Sequence, residues 1–314
     1  MTGVDTRVRV GSVELRHAVM TASGTAGYGT ELAPYLDLGA LGAVVTKSLA
    51  AFAWDGNPAP RLHPTPQGML NSVGLQGPGV ASWLEHQVPS LEAAGATIVC
   101  SIWGRSVDDY AAAAALLADA PPSVVAVEVN LSCPNLSGHG RAGMFAHDTA
   151  LAADAIAATA ACRRPRWAKL SPNTDRLVDV ARVVHAAGAE AVTLVNTVLG
   201  MVIDPDTLRP ALGSGPNGGG LSGRAIHPVA VRAVHDVHRA LPDVPIVGVG
   251  GVSSGWDAAE LMLAGASAVQ VGTATFAEPG ASGRIAAEIE AWAAARGIAS
   301  LGDIPGIGPA QGVV

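Results

Sequence analysis

The sequence predicts an α/β fold, a single-domain (β/α)8 barrel with insertions on its C-terminal face, and three observations support this prediction. Short apolar runs rich in Val and Ile alternate with Ala-rich helical stretches along the whole chain. The runs number eight, which is the strand count of such a barrel. Irregular segments rich in Gly and Pro follow individual strands, where barrel enzymes build their active sites.

The candidate strands are continuously apolar, as in Ile246 to Val249, which is typical of parallel strands buried on both faces. Helical patterns at 108–118, 149–161 and 227–240 separate them and indicate right-handed βαβ units. A doubly wound open sheet is the alternative. Polar residues at the ends of many strands, not at one switch point, favour the barrel. The candidate strands are 17–22, 43–48, 96–102, 124–132, 166–171, 191–196, 244–250 and 268–274.

No linker divides the 314 residues, so we expect residues 1–314 to form one domain. Hydrophobic residues make up 49% of the chain and charged residues 14%, which is enough apolar material for a large core. The Gly/Pro-rich segments 50–80, 134–147 and 199–223 each follow a predicted strand. We therefore expect these three insertions on the C-terminal face of the barrel.

Charge and cysteine content exclude several classes of function. A net charge of −7 provides no basic surface for nucleic acid. Three cysteines are too few and too scattered for a disulfide scaffold or a zinc or iron–sulfur site, and they fit a reducing cytoplasm. The first residues lack an apolar run, and the uncharged stretch 261–277 is broken by Gly265 and Gly272. We expect a cytoplasmic protein without a membrane segment.

Glycine clusters at three strand ends predict a phosphate site. Strand seven ends in Gly248-Val249-Gly250-Gly251, and strand eight ends in Gly272-Thr273. The loops after these two strands commonly bind phosphate in barrels, because glycine lets backbone N–H groups approach the anion. The segment 218–223 follows strand six and is expected to supply a third edge.

Lys47 and Lys169 each stand at the end of an apolar strand, where an unpaired ammonium is costly to bury. Two such lysines favour a shared anionic centre, for example a reduced flavin. A Schiff-base role for Lys169 is a second possibility. Polar groups that could hold a planar ligand stand at Ser23-Gly24, at Asn71-Ser72-Val73-Gly74-Leu75 and at Asn196-Thr197.

Cys133 follows strand four within Asn130-Leu131-Ser132-Cys133-Pro134-Asn135, in a polar loop setting. A thiol with a modestly lowered pKa could accept a proton near neutral pH, so Cys133 is the candidate base. Cys100 and Cys162 are expected to be small buried hydrophobic residues. No His stands at a spacing typical of a Cys–His hydrolase, and His139 and His147 are expected to be solvated.

Taken together, these segments resemble the dihydroorotate dehydrogenase family, in order from about residue 10 to residue 280. The cysteine segment and Gly219-Gly220-Leu221-Ser222-Gly223 are the most specific of them. Lys169-Leu170-Ser171-Pro172, Thr46-Lys47-Ser48 and the paired glycines agree with the resemblance.

The resemblance implies an enzyme that uses FMN to oxidise dihydroorotate to orotate in pyrimidine synthesis, with Cys133 as the base. It implies that FMN is held by Ser23, Lys47, Ser48, Ser101, Asn130, Lys169, Val195, Gly223, Gly250, Gly251, Gly272 and Thr273. It implies that the substrate is bound by Lys47, Asn71, Ser72, Val73, Gly74, Leu75, Asn130, Asn196 and Thr197.

A cysteine at the position of the base is similar to the pattern of the soluble class 1 of the family. Residues 55–61, 68–71 and 143–145 resemble its NAD-linked subclass 1B. That subclass implies a homodimer core and a partner subunit carrying FAD and a [2Fe-2S] cluster. The fumarate-linked subclass 1A is the alternative. Ser101 and Gly77 depart from the subclass 1B pattern, which has Asn at both positions.

Two other classes of function remain open from the sequence. A Schiff-base aldolase that uses Lys169 would share the phosphate site. A non-catalytic scaffold subunit of an electron-transfer assembly would bind flavin without turning over dihydroorotate.

Overall fold

The structure is a computed structural model that describes residues 3–132 and 148–307. Strands and helices alternate through most of the described chain. The strands are β1 (Val8–Val10), β2 (Val13–Leu15), β3 (Val19–Thr21), β4 (Val44–Val45), β5 (Leu62–Thr65), β6 (Gly68–Asn71), β7 (Ile98–Ile102), β8 (Val124–Asn130), β9 (Arg166–Lys169), β10 (Ala191–Leu194), β11 (Val198–Gly200), β12 (Gly219–Ser222), β13 (Ile246–Val249) and β14 (Ala268–Val271). The helices are α1 (Val80–His86), α2 (Val88–Ala93), α3 (Val107–Leu116), α4 (Thr149–Ala158), α5 (Leu177–Ala186), α6 (His227–Ala240), α7 (Gly255–Leu263), α8 (Ala274–Ala277) and α9 (Ala281–Ala294).

Eight parallel strands form the barrel in the order β3-β14-β13-β10-β9-β8-β7-β4. The seam lies between β3 and β4, where Gly42 N–H donates to the Val19 carbonyl at 2.9 Å and Thr21 N–H donates to the Ala43 carbonyl at 3.2 Å. The predicted barrel is therefore confirmed. Each predicted run contains one of these strands and extends beyond it.

Side-chain caps begin several of the surrounding helices. Ser106 Oγ accepts from Asp109 N–H ahead of α3, Asp148 accepts from two amides ahead of α4, and Ser254 Oγ accepts from Asp257 N–H ahead of α7. Such caps satisfy amides that the first helical turn leaves without partners. The three helices predicted by pattern correspond to α3, α4 and α6. Within the described ranges, no helix combines the length and apolarity that crossing a bilayer demands.

The N-terminal end of the barrel is covered by the β1–β2 hairpin and by the segment after α9. The hairpin turns at Gly11, whose φ of 60° is the left-handed conformation that favours glycine. Asp5 N–H donates to the Ala299 carbonyl and Leu301 N–H donates to the Asp5 carbonyl, each at 2.8 Å. The opposite, C-terminal end is left free for a site.

A four-stranded antiparallel sheet, which we call the wall sheet, stands at that C-terminal end with the order β11-β12-β6-β5. It corrects the prediction that 50–80 and 199–223 are irregular, and it places Asn71 at the end of β6 instead of in a loop. Asn71 pairs with Gly220 of β12, 149 residues away in the chain. Strands of three or four residues with so remote a partner leave no periodic pattern to recognise.

Candidate functional site

A cleft opens at the C-terminal ends of the barrel strands, with the wall sheet along one side. Its empty space is about 1070 Å³, part of it open to solvent. Nearly all of the predicted site residues that the structure describes line it. Those that do are Ser23, Lys47, Ser48, Asn71, Val73, Gly74, Leu75, Asn130, Lys169, Val195, Asn196, Thr197, Gly223, Gly250, Gly251, Gly272 and Thr273.

The glycines gather at one corner of the cleft. Gly250 has a φ of 136° and Gly251 a φ of 71°, values that side-chain-bearing residues rarely adopt. A Cβ at Gly250 would lie 2.7 Å from the Ala230 Cβ, and a Cβ at Gly251 would lie 2.7 Å from the His227 Cβ. The backbone therefore passes where no side chain fits, as an anion cradle requires. Gly223, Gly272 and Thr273 complete this glycine corner, and Thr273 Oγ1 donates to Ser222 Oγ at 2.8 Å.

His227, at the start of α6, supports the glycine corner from behind. Its Nδ1 donates to the Gly250 carbonyl at 2.8 Å, and its Nε2 lies 3.0 Å from Glu260 Oε2. Asp257 is also close to His227. Burial works to raise the pKa of Asp257, but hydrogen bonds from Ser253 and the charge of His227 outweigh it, so the net shift is downward. The sequence prediction did not include these residues.

Two lysines reach the cleft, and the chain contains no others. Lys47 is half-buried. Lys169 is 4% exposed, and its Nζ lies 3.7 Å from Glu128 Oε1 and 3.5 Å from Gln270 Oε1. The cleft floor thus carries a paired cation. Sequence reasoning missed Glu128 and Gln270, although a Glu inside the apolar run of β8 was a visible signal.

A continuous chain of hydroxyl and amide groups lies beneath the cleft. Ser48 Oγ lies 3.2 Å from Ser23 Oγ and 2.9 Å from Ser101 Oγ, and it accepts from Asn130 Nδ2 at 3.1 Å. Tyr110 donates its hydroxyl to the Asn130 carbonyl at 2.7 Å. Ser101 is fully buried behind Ser48 and is not part of the cleft surface.

The chain continues from Asn130 to Asn196. Asn130 Oδ1 accepts from the Ser132 hydroxyl at 3.1 Å and from its N–H at 3.2 Å. Asn196 Nδ2 donates to Ser132 Oγ at 2.9 Å and to the Ser132 carbonyl at 3.1 Å. Two predicted ligand-binding amides are therefore linked through one serine, so that the position of each depends on the other.

The wall sheet and its neighbours present a second set of amides. Asn71 Nδ2 donates to the Gly220 carbonyl at 3.2 Å. Asn173, which the sequence prediction did not include, donates to the Thr197 carbonyl and accepts from Leu199 N–H, each at 2.9 Å, and so orders the segment that leads into β11. Ser72 is fully buried and does not line the cleft; its Oγ has no hydrogen-bond partner among the described residues.

The departure at Gly77, where the subclass 1B pattern has Asn, has a steric explanation. A Cβ at residue 77 would lie 2.7 Å from the Tyr28 hydroxyl oxygen, which itself donates to the Gln76 carbonyl. The Tyr28 ring thus occupies the space that an Asn side chain would need. Gly77 also pairs with Trp54 through two backbone hydrogen bonds of 2.8 Å.

Cys133 lies outside the described residues, as do the insertion 134–147 and its two histidines. Its neighbour Ser132 is 2% exposed and belongs to the hydrogen-bonded chain beneath the cleft. The expectation for the other two cysteines is confirmed, because Cys100 and Cys162 are fully buried. Burial raises the pKa of both thiols, so neither is prone to ionise near neutral pH.

Comparison with known proteins identifies the family. Residues 6–292 match the family model described as Dihydroorotate dehydrogenase. The chain belongs to the dihydroorotate dehydrogenase family. Two relatives are named dihydroorotate dehydrogenase B (NAD(+)), catalytic subunit. The protein from Trichlorobacter lovleyi is 46% identical over 95% of this chain and 97% of its own length. The protein from Geobacter sulfurreducens is 45% identical over 96% of this chain and 97% of its own length.

A solved structure shares the fold. The crystal structure of a dihydroorotate dehydrogenase from Eimeria tenella, in complex with ferulenol, aligns with a TM-score of 0.77. The alignment covers 96% of this chain and 87% of that one, at 21% sequence identity. Identity this low supports the barrel architecture only.

Proposed function

We propose that this protein oxidises (S)-dihydroorotate to orotate in pyrimidine biosynthesis, with FMN as hydride acceptor, and that residues 1–314 act as one FMN-binding barrel domain. The observation that carries the proposal is that one cleft joins the glycine corner, a buried lysine and two linked asparagines. Relatives named for this activity match the chain over nearly its whole length.

The residues present fit FMN. In the glycine corner a Cβ at Gly223, Gly250 or Gly251 would collide with its neighbours, and bare backbone at these positions suits the close approach of a phosphate. Lys169 supplies a cation at the cleft floor, the type of group that stabilises a reduced flavin. We propose that the phosphate is held by Gly223, Gly250, Gly251, Gly272 and Thr273, and the rest of FMN by Ser23, Lys47, Ser48, Asn130, Lys169 and Val195, with Ser101 supporting Ser48 from behind.

The protein's own groups bind the substrate and move one proton. Lys47 and the amides of Asn71, Asn130 and Asn196 hold the ring and its carboxylate, which contributes orientation. Cys133 removes the proton from C5. FMN, when bound, would supply the acceptor for the C6 hydride, so that a C5–C6 double bond results. Val73, Gly74, Leu75 and Thr197 line the substrate side, and Ser72 packs behind them.

The destination of the electrons is proposed from the relatives. Their name includes the words catalytic subunit and NAD(+). We propose that this chain forms a homodimer core in the cytoplasm and passes electrons to NAD through a partner subunit that carries FAD and a [2Fe-2S] cluster. The alternative is that the same site passes its electrons directly to fumarate.

The aldolase alternative is not favoured by the surroundings of Lys169. A Schiff-base lysine must lose its proton before it can attack a carbonyl. Lys169 Nζ instead lies 3.7 Å from the Glu128 carboxylate, so the amine is engaged in an ion pair inside the barrel.

The test is anaerobic reduction of the purified, FMN-loaded protein. We expect a yellow protein whose visible flavin absorbance disappears when (S)-dihydroorotate is added, with one orotate formed for each flavin reduced. The (R) enantiomer is the matched control and is expected to leave the spectrum unchanged. Adding fumarate, or NAD together with the partner subunit, then shows which acceptor restores the absorbance.

Two results would contradict the proposal. A colourless protein that borohydride traps with a carbonyl substrate would indicate the aldolase. A flavin that dihydroorotate does not reduce would indicate a scaffold subunit.

A further inference from the structure

Glu128 places a carboxylate inside the barrel, where it is fully buried. Its Oε2 accepts from Gln270 Nε2 at 2.7 Å, and its Oε1 lies 3.7 Å from Lys169 Nζ. Among the described residues, Lys169 is the charged group within ion-pair distance of this carboxylate. A buried charge without a partner of opposite sign is strongly unfavourable, so these two side chains are suited to pair with each other.

The arrangement spans the barrel. Glu128 is on β8 and Lys169 is on the adjacent β9, whereas Gln270 is on β14, which β13, β10 and β9 separate from β8. Gln270 therefore reaches across the interior, donating to Glu128 and presenting its own Oε1 to Lys169 at 3.5 Å. The ammonium is consequently held from two directions at the cleft floor.

Composition indicates that lysine is needed at this position. The chain has 19 Lys and Arg residues in all, and every one of them except Lys47 and Lys169 is an arginine. An ammonium readily loses its proton when it is buried without a counter-ion, whereas a guanidinium keeps its charge. A cationic Lys169 at 4% exposure thus requires a carboxylate such as Glu128.

We propose that Glu128 is a positioning residue, which holds Lys169 Nζ at the cleft floor through their ion pair. Glu128 does not line the cleft and acts only through Lys169. The inference rests on the proposed function in one respect, namely that the anionic group served by Lys169 is bound flavin.

The first test measures lysine reactivity in the FMN-free full-length protein. Glu128→Gln preserves size and removes the charge, so the Lys169 amine loses its ion-pair partner. Acetic anhydride at neutral pH should then acetylate Lys169 about tenfold faster relative to Lys47 than in the unsubstituted protein. Peptide mass spectrometry gives this ratio without ambiguity, because the chain has only these two lysines.

Gln270→Met is the matched control. It removes the barrel-spanning hydrogen bond but leaves the carboxylate, so the ratio of Lys169 to Lys47 acetylation is expected to stay within about twofold of the unsubstituted protein. Equal acceleration in both variants would mean that a loosened barrel exposes Lys169, and it would overturn the proposal. An unchanged ratio in Glu128→Gln would overturn it as well.

The second test is a double-mutant cycle on FMN affinity, followed by flavin fluorescence. Glu128→Gln alone should weaken FMN binding about tenfold, and it should add nothing when Lys169 is already Met. Additive losses would show that Glu128 does not act through Lys169. If Glu128→Gln folds only together with Lys169→Met, the unpaired ammonium is the cause and the pairing is supported.

The outcomes separate the two proposals. Failure of the unsubstituted protein to bind FMN would count against the proposed function. The acetylation ratio needs no flavin, and so it tests the Glu128–Lys169 pair independently.

Discussion

At the residue scale, hydrogen bonds hold Ser132, the residue that precedes the proposed base Cys133. Ser132 receives two hydrogen bonds from Asn196 and donates two to Asn130. The backbone immediately before Cys133 is therefore fixed to two amides that we propose bind the substrate.

Cys133→Ser is expected to retain FMN and to lose turnover near pH 7. A serine hydroxyl ionises far less than a thiol near neutral pH, so kcat for dihydroorotate should fall by about 100-fold or more and recover partly as the pH rises. Stopped-flow reduction of the flavin measures this step directly. Cys162→Ser is the control, because its hydroxyl can keep the hydrogen bond to the Arg164 carbonyl. Undiminished flavin reduction in Cys133→Ser would exclude Cys133 as the base.

At the element scale, the cleft is divided between the wall sheet and the barrel strands. Four of the five residues of the glycine corner follow β13 and β14 of the barrel, and the fifth, Gly223, follows β12. Asn71 belongs to β6 of the wall sheet. Thr197 lies just before β11 and faces β12, where a Cβ at Gly220 would lie 2.1 Å from its Oγ1. Changes in the wall sheet beside Thr197, away from Gly223, should therefore affect substrate binding and leave the flavin in place.

Gly220→Ala tests this division. The added methyl group must displace Thr197, so we expect the KM for dihydroorotate to rise by about tenfold, equivalent to about 1.4 kcal/mol, while FMN content stays at one per chain. Steady-state kinetics and flavin absorbance measure the two quantities. Gly283→Ala makes the same change in α9, where the nearest atom is the Leu36 Cβ at 3.6 Å, and should be neutral. Loss of FMN from Gly220→Ala would refute the division.

At the scale of the whole molecule, His17 links the start of β3 to α9. It is 4% exposed, its Nδ1 accepts from Val19 N–H at 2.9 Å, and its Nε2 lies 3.5 Å from Glu290 Oε1. Burial lowers the pKa of His17 below its usual 6.5, although Glu290 partly opposes the shift. The unfolded chain therefore takes up this proton at a higher pH than the folded protein does.

The sign of the resulting pH dependence follows from linkage. Stability contributed by neutral His17 is complete above pH 6.5 and is lost as the pH falls from there toward the depressed folded-state pKa. In His17→Asn, the Asn Oδ1 can replace Nδ1 as the hydrogen-bond acceptor. This variant should reduce the slope of the unfolding free energy against pH, between pH 6.5 and 5, by up to about 1.4 kcal/mol per pH unit. Urea unfolding at each pH measures the slope. His86→Asn, at an exposed position, is the control and should leave the slope unchanged. Equal slopes for His17→Asn and the unsubstituted protein would show that His17 does not contribute to the pH dependence of stability.

The sequence predicted the barrel well because strands buried on both faces are continuous apolar runs, as in Ile246 to Val249. It also predicted the glycine corner, since three glycine clusters follow adjacent strands. It did not predict the wall sheet, whose strands are short and whose β6–β12 pairing joins distant parts of the chain. Nor could it pair Glu128 with Gln270, because their contact crosses the barrel between strands that are not neighbours.

The pairing of Asn71 with Gly220 across 149 residues has a consequence for synthesis on the ribosome. The wall sheet cannot close until β12 has left the exit tunnel, and the glycine corner needs residues up to Thr273. Domains generally fold as units during translation. Capture of the proposed FMN is therefore postponed until nearly the whole barrel has been made, and we expect a stalled nascent chain to emerge without flavin.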